Sequence, residues 1–190
     1  MNKRILVTGG TGYIGSHTVV ELQNSGYEVV IIDNLSNSRA DVVDNIEKVS
    51  GVRPIFEQLD CLDYAGLDAL FAKYDNIKGI IHFAASKAVG ESVEKPLMYY
   101  RNNLVSLINL LELMPKYGVE GIIFSSSCTV YGQPDILPVT EAAPTKVAES
   151  PYGNTKQINE EIIRDYVKSG APVNAILLRY FNPIGAHPSA

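Results

Sequence analysis

The chain has 190 residues and a formal net charge of −5, with 46% hydrophobic and 19% charged residues. That balance describes a single ordinary globule, large enough to fold on its own core without staples. Lys and Arg are scattered, no apolar run approaches the ~18 residues of a membrane span, and Cys61 and Cys128 lack metal-ligand spacing. A nucleic-acid face, a membrane span and a metal centre are therefore not expected. Met1-Asn2-Lys3-Arg4 leads straight into an apolar strand with no signal-peptide character, and the two thiols suit a reducing compartment, so a cytoplasmic location is expected.

Strand and helix patterns alternate along the chain, which predicts βαβ units and a doubly wound parallel sheet of about six strands with helices on both faces. A strand over 3–8 runs into Thr8-Gly9-Gly10-Thr11-Gly12-Tyr13-Ile14-Gly15-Ser16-His17, which opens a helix over 12–25 ended by Gly26. A buried strand, a glycine-rich turn and a helix start are the parts needed to hold a dinucleotide pyrophosphate. Glycine lets the backbone approach the ligand, and the helix start offers free N–H groups and the positive end of its dipole. The spacing of Gly9, Gly12 and Gly15 departs by one residue from the common G-x-G-x-x-G form. A second strand, 28–33, ends in Asp33, whose carboxylate can accept from both hydroxyls of an adenosine ribose. The same carboxylate would repel a 2′-phosphate, which favours NAD over NADP, although Arg39 leaves room for the opposite choice.

A polar loop (34–38) and a polar helix (40–49) follow, then a third strand (54–59) ending at Asp60-Cys61 and a helix over 63–74 with Leu67, Leu70 and Phe71 on one face. A fourth strand, Gly79 to Ala85, carries His82 and runs into small residues. A histidine inside an apolar strand reads as a satisfied core residue. The longest helix, 96–117, starts at Pro96 and shows an inward stripe of Leu104, Leu107, Ile108, Leu111 and Met114. Its tandem Asn102-Asn103 must find partners, either a structural bond or a ligand. A fifth strand, 121–124, ends in Ser125-Ser126-Ser127. A proline-rich loop over 132–150, a helix opened by Pro151, a sixth strand over 173–180 and a loop-like tail complete the chain.

Tyr152 and Lys156 are four residues apart, on one face of that last helix. A phenol titrates near ~10 and is a poor base at neutral pH, but a neighbouring cation stabilises its anion. Such a tyrosine can take a proton from a substrate hydroxyl while hydride leaves the same carbon, and Ser127 supplies a hydroxyl to bridge the two. A Tyr/Lys pair alone reads more readily as a helix-surface pair than as an active site. Its weight comes from the glycine turn and the serine cluster.

The glycine spacing, the Ser127…Tyr152…Lys156 set and Arg179-Tyr180-Phe181-Asn182-Pro183 together resemble the extended short-chain dehydrogenase/reductase superfamily. Within it, the stretches from Thr8 to His17, His82 to Val93, Ser125 to Gly132 and Leu178 to Ser189 are most similar to the UDP-glucose 4-epimerases. The resemblance implies a Rossmann-type fold, a tightly held NAD and a reaction without net redox on a UDP-hexose. Tyr152 would deprotonate the sugar 4-hydroxyl as C4 gives up hydride, and the 4-ketose would turn over and take hydride back on its other face. Lys156 would lower the phenol's pKa and bind the nicotinamide ribose, and Ser127 would bridge Tyr152 and the sugar oxygen.

By the same matching, Tyr13, Ile14 and the three glycines would meet the pyrophosphate, and Asp33, Asn34 and Asn37 the adenosine side. Asp60 and the Cys61 backbone would meet the adenine. Phe83, Ala84, Ala85 and Lys87 would lie along the pyrophosphate and ribose, with Lys87 also reaching substrate, and Asn102 would be a cofactor contact. Tyr180 and Phe181 would border the nicotinamide, and Phe181 and Asn182 the nucleotide sugar. Two positions depart from the family pattern: Cys128 stands where Ala is common and Ala85 where Gly is frequent.

Dehydratases of the superfamily usually carry Thr-Asp-Glu where this chain has Ser-Cys-Thr; decarboxylases are less well separated, and a non-catalytic NAD-binding module is the alternative from another class. Members of the family continue well past the Asn182-Pro183 turn. The expectation is thus an NAD-binding domain over 1–190 without the C-terminal substrate-binding domain, poorly active alone. The family's habit of pairing helices suggests a homodimer through 96–117 and 151–168.

Overall fold

The structure, a computed structural model, describes residues 3–188; Met1, Asn2, Ser189 and Ala190, which include the last residue of the tail stretch quoted above, lie outside the described residues. Six strands form one sheet: β1 (Arg4–Thr8), β2 (Glu28–Asp33), β3 (Ile55–Gln58), β4 (Ile77–His82), β5 (Gly121–Ser127) and β6 (Asn174–Tyr180). All pairings are parallel, in the order β3-β2-β1-β4-β5-β6. The helices are α1 (Tyr13–Asn24), α2 (Val42–Ser50), α3 (Tyr64–Lys73), α4 (Val89–Glu94), α5 (Pro96–Lys116) and α6 (Pro151–Lys168), with a 3-10 turn over Cys128–Tyr131. This is the doubly wound sheet expected from the alternating pattern.

Period-two alternation sorts the core into two layers. Leu6, Val30, Ile80 and Ile122 face the helices α3, α5 and α6, against Leu67, Leu107, Leu110 and Ile163. Their chain neighbours Val7, Val29, Ile31 and Ile81 face α1 and α2, against Val19, Val20 and Ile46. With both faces covered, the strands read as nearly continuous Val/Ile/Leu runs. Strand order reverses between β1 and β4, so the connections leaving their C-terminal ends run to opposite sides. An open α/β sheet forms its crevice at that point.

Helix ends follow local chemistry. Asp63 caps α3 through Gly66 N–H at 3.0 Å, and Ser150 caps α6 through Gly153 N–H at 3.1 Å, with Pro151 in its first turn. Gly51 ends α2 with φ of 74°, a left-handed conformation that suits glycine.

Three local expectations need correction. In α5, Leu107, Leu111 and Met114 are buried, but Leu104 is half-buried and Ile108 is 36% exposed. The inward face instead includes Asn103, Ser106 and Asn109, polar residues admitted because each has partners in the fold. The short helix α4 was not expected, because its Val89 and Val93 are exposed and leave no apolar stripe in the sequence. Finally, β4 stops at His82, while β5 extends through all three serines, paired to β6 as far as Ser127↔Tyr180.

Candidate active site

The turn between β1 and α1 is held by its glycines. A Cβ on Gly9 (φ 68°) would sit 2.8 Å from the Ala84 backbone nitrogen, and one on Gly15 would sit 2.2 Å from the Gly9 carbonyl oxygen. Gly9 thus lets the β4 loop approach, and Gly15 lets α1 close on the turn. Gly12 occupies the N-cap of α1 with no side-chain cap, so the first N–H groups of the helix carry no acceptor from a side chain.

That turn forms one wall of a cleft of about 1380 Å³ at the C-terminal edge of the sheet. Every residue expected at the site lines this one cleft: Gly9, Gly12, Tyr13, Ile14, Gly15, Asp33, Asn34, Asn37, Asp60, Cys61, Phe83, Ala84, Ala85, Lys87, Asn102, Ser127, Tyr152, Lys156, Tyr180, Phe181 and Asn182. They come from the C-terminal ends of all six strands, or the residues that follow them, and from α1, α5 and α6.

At one end, Asp33 is fixed before any ligand arrives. Its Oδ1 accepts from Leu35 N–H and Ser38 Oγ, both at 2.9 Å, and Ser38 in turn accepts from Thr11 Oγ1 at 2.8 Å. Asn34 donates to Asp60 at 2.9 Å. The Cys61 thiol is buried and pushed up to about 12 by that burial, so it is inert, and its carbonyl accepts from Asn109 at 2.9 Å. Arg39, which left the 2′-phosphate question open, pairs with Asp41 on the exposed surface through two bonds at 3.0 and 2.8 Å and is not part of the cleft wall.

In the middle, the loop after β4 stays tied to β1, with Phe83 N–H donating to the Thr8 carbonyl and Ala84 N–H to Thr8 Oγ1. His82 is 2% exposed and its Nδ1 bonds Thr8 Oγ1 at 2.7 Å. Burial, helped by the Lys156 charge, holds it down to about 3. It is a neutral core residue, as expected. The tandem asparagines are placed differently. Asn103 is structural: it bonds Ser86 on both its amide oxygen and nitrogen and reaches Thr155. Asn102 lines the cleft and donates to Ser86 Oγ at 3.2 Å.

At the other end lie Ser127, Tyr152 and Lys156. Lys156 is 4% exposed; its Nζ donates to the Ser125 carbonyl at 2.8 Å and lies 4.9 Å from the Phe124 ring centroid and 5.8 Å from that of Tyr152. Burial lowers its pKa to about 8. Burial also pushes the Tyr152 phenol up, against a downward pull from the Ser127 hydroxyl. The expected lowering of the phenol by Lys156 is therefore not the dominant effect in the protein alone, because desolvation penalises both charged forms and the ammonium is bonded to a carbonyl.

Sequence reasoning missed several cleft residues. Ser38 orients Asp33, but no periodicity marks it. Thr129 also lines the cleft, and its buried hydroxyl has no protein partner. Its neighbour Ser127 was the only available signal. Among the described residues no cluster of His, Cys, Asp or Glu could hold a metal, and no helix is long and apolar enough to cross a membrane.

A family model described as "NAD dependent epimerase/dehydratase family" matches residues 5–190. A UDP-glucose 4-epimerase of Schizosaccharomyces pombe is 55% identical over 189 residues, covering 97% of this chain and 53% of its own length. The crystal structure of a Stenotrophomonas maltophila UDP-glucose 4-epimerase with bound NAD and formylated UDP-arabinopyranose matches with TM-score 0.95 at 47% identity, over 99% of this chain and 55% of that one. A Bifidobacterium longum UDP-glucose 4-epimerase in complex with NAD+ and UDP matches with TM-score 0.95 at 47% identity, over 98% and 56%. The chain thus spans about half the length of the relatives it matches.

Proposed function

Because the chain belongs to the NAD dependent epimerase/dehydratase family, we propose that it is the cofactor-holding, hydride-transfer part of an enzyme interconverting UDP-glucose and UDP-galactose. The observation that carries this reading is the single cleft joining an uncapped glycine turn and Asp33 at one end to Ser127, Tyr152 and Lys156 at the other. Relatives matched over nearly the whole of this chain were crystallised with NAD and with UDP or a UDP-sugar.

The residues fit a dinucleotide. The N–H groups of Tyr13, Ile14 and Gly15 would hold the pyrophosphate, on a turn that only glycine at positions 9 and 15 lets close against its own backbone. Asp33 would accept from the adenosine ribose, with Asn34, Asn37, Asp60 and Cys61 around the adenine side. Phe83, Ala84, Ala85, Lys87 and Asn102 would line the central stretch and Tyr180 the nicotinamide end. When bound, NAD supplies the hydride acceptor and a positive ring beside the phenol.

The chain's own groups would do the rest. Tyr152 would take the proton of the sugar 4-hydroxyl and return it, and Ser127 would bridge that oxygen and the phenol. Lys156, lowered to about 8 by burial, would bind the ribose and stabilise the phenolate electrostatically. Lys87, Phe181 and Asn182 would meet the sugar nucleotide. Phe181 is 56% exposed, in keeping with a pocket completed by further sequence in the longer protein. Residues 1–190 are thus proposed as the cofactor domain, weakly active by themselves.

The assembly proposed is a homodimer. Leu97 (82% exposed), Val105 and Ile108 on α5 and Val167 on α6 present apolar surface outward, for the same two helices of a second copy. Sedimentation of the chain tests it.

The decisive experiment is the NAD(H) released on heat denaturation of purified chain. About one per chain supports the reading; none from a protein folded by circular dichroism overturns it. Tyr152→Phe then separates an enzyme from a binding module. In the longer protein it is expected to abolish UDP-galactose turnover while NAD content stays unchanged. Undiminished turnover sinks the role of Tyr152.

A further inference from the structure

Glu160 lies on α6 one turn beyond Lys156 and is 1% exposed, and no step above uses it. Its Oε1 accepts from Ser126 Oγ at 2.6 Å and Arg179 Nε at 2.9 Å; its Oε2 accepts from Arg179 Nη2 at 2.8 Å and Arg164 Nη2 at 2.5 Å. A buried carboxylate is costly unless it is paired and its lone pairs are satisfied. Here both oxygens are filled: burial pushes the group up, yet Arg179 and Ser126 hold it below its ordinary value.

The placement of the donors gives this network a direction. Ser126 on β5 and Arg179 on β6 are register partners, and so are the next residues, Ser127 and Tyr180, which line the cleft. One carboxylate therefore clamps the two strands at the residues next to Ser127 and Tyr180, with Ser126 itself along the cleft wall. From the turn before, Lys156 holds the Ser125 carbonyl. Successive turns of α6 thus grip successive residues of β5. Arg179 also lies 4.7 Å from the ring centroid of Tyr131, in the 3-10 turn that follows Ser127. These bonds tie the helix carrying Tyr152 to the strand carrying Ser127 at two successive turns.

We propose that Ser126 and Arg179, gripped by Glu160, are positioning residues that set the end of β5 against Tyr152 and Lys156. The proposal rests on the reading of Ser127, Tyr152 and Lys156 as the reacting set. None of the three positioning groups touches the reacting atoms; each acts by holding the neighbour of one that does.

The test is the titration of Lys156 in the 190-residue chain, followed by NMR of its labelled side chain and assigned with a Lys156→Arg variant. Ser126→Ala changes no charge and leaves Glu160 three donors, so it is expected to fold. Loosening β5 relieves the burial that holds the ammonium's pKa down, and the Lys156 pKa rises by about half a unit or more. Arg179→Lys keeps the charge but not the two-pronged grip, and moves Lys156 the same way. The charged form of Lys156 faces His82 and Tyr152, both untouched by these changes.

A lower unfolding midpoint with an unmoved Lys156 in both variants assigns the network a purely structural role and overturns the proposal. NAD(H) content of the same samples keeps the two readings apart. A wild-type chain without NAD whose two variants still show the shift sinks the nucleotide reading and supports the clamp. A chain that holds NAD with Lys156 unmoved sinks only the clamp.

Discussion

Asp33 shows what a single side chain contributes at this site. It ends β2, and Leu35, Ser38 and Thr11 orient its carboxylate through backbone and hydroxyl donors. Under the proposed function, the two hydroxyls of a ribose would meet an acceptor already oriented. A hydrogen bond to a charged group contributes about 1.5–3 kcal/mol. Asp33→Ala is therefore expected to weaken NAD affinity about ten- to a hundredfold, measured by calorimetric titration. Unchanged affinity would remove Asp33 from the site. Asp33 was legible in the sequence because it closes an apolar strand after a glycine turn. Ser38 was not, because a lone serine in a polar loop looks the same whether it orients a carboxylate or faces water.

At the scale of elements, the β1 turn and α1 are one device. Gly12 and Gly15 both belong to the motif, yet the structure assigns them unequal burdens. A methyl on Gly12 would meet only the Gly9 carbonyl, at 3.2 Å, whereas on Gly15 it would meet that oxygen at 2.2 Å and Gly10 Cα at 2.9 Å. Backbone cannot give way as a side chain can. Gly15→Ala is expected to cost about 1–3 kcal/mol or more by overpacking, and Gly12→Ala clearly less, both read as urea midpoints. Equal midpoints for the two variants would contradict the packing described here. The helix α5 marks the limit of periodic reasoning: its stripe is apolar over two overlapping faces. Only the neighbours that bond Asn103 and Asn109 decide which face turns inward, leaving Ile108 outside.

For the molecule as a whole, the buried histidine couples the fold to pH. His82 is held down to about 3 in the folded chain, against an ordinary value near ~6.5 in the unfolded one. Below ~6.5 the unfolded chain takes up a proton that the folded chain refuses. Stability therefore falls as pH drops from ~6.5 towards 3, by up to about 1.4 kcal/mol per pH unit from this group. His82→Asn keeps a polar partner for Thr8 and removes the titration. Its unfolding free energy is expected to decline less steeply between pH 6 and 4 than that of the wild type, by urea denaturation. Parallel slopes would mean that His82 is not neutral in the fold.

The sequence by itself determined the alternation of strands and helices, the glycine turn, the acid after β2 and the identities of Ser127, Tyr152 and Lys156. Those features are local: each is written in the spacing of residues a few positions apart, and backbone geometry converts that spacing directly into a turn, a helix face or a strand end. Tertiary structure alone decided which asparagine serves the fold and which the cleft, how far β5 runs, and that burial rather than Lys156 governs the Tyr152 phenol. It also brought Glu160 to Ser126 and Arg179 across three elements. Hydrogen-bond partners and desolvation depend on what packs alongside, and that neighbourhood exists only once the sheet has closed beneath its helices.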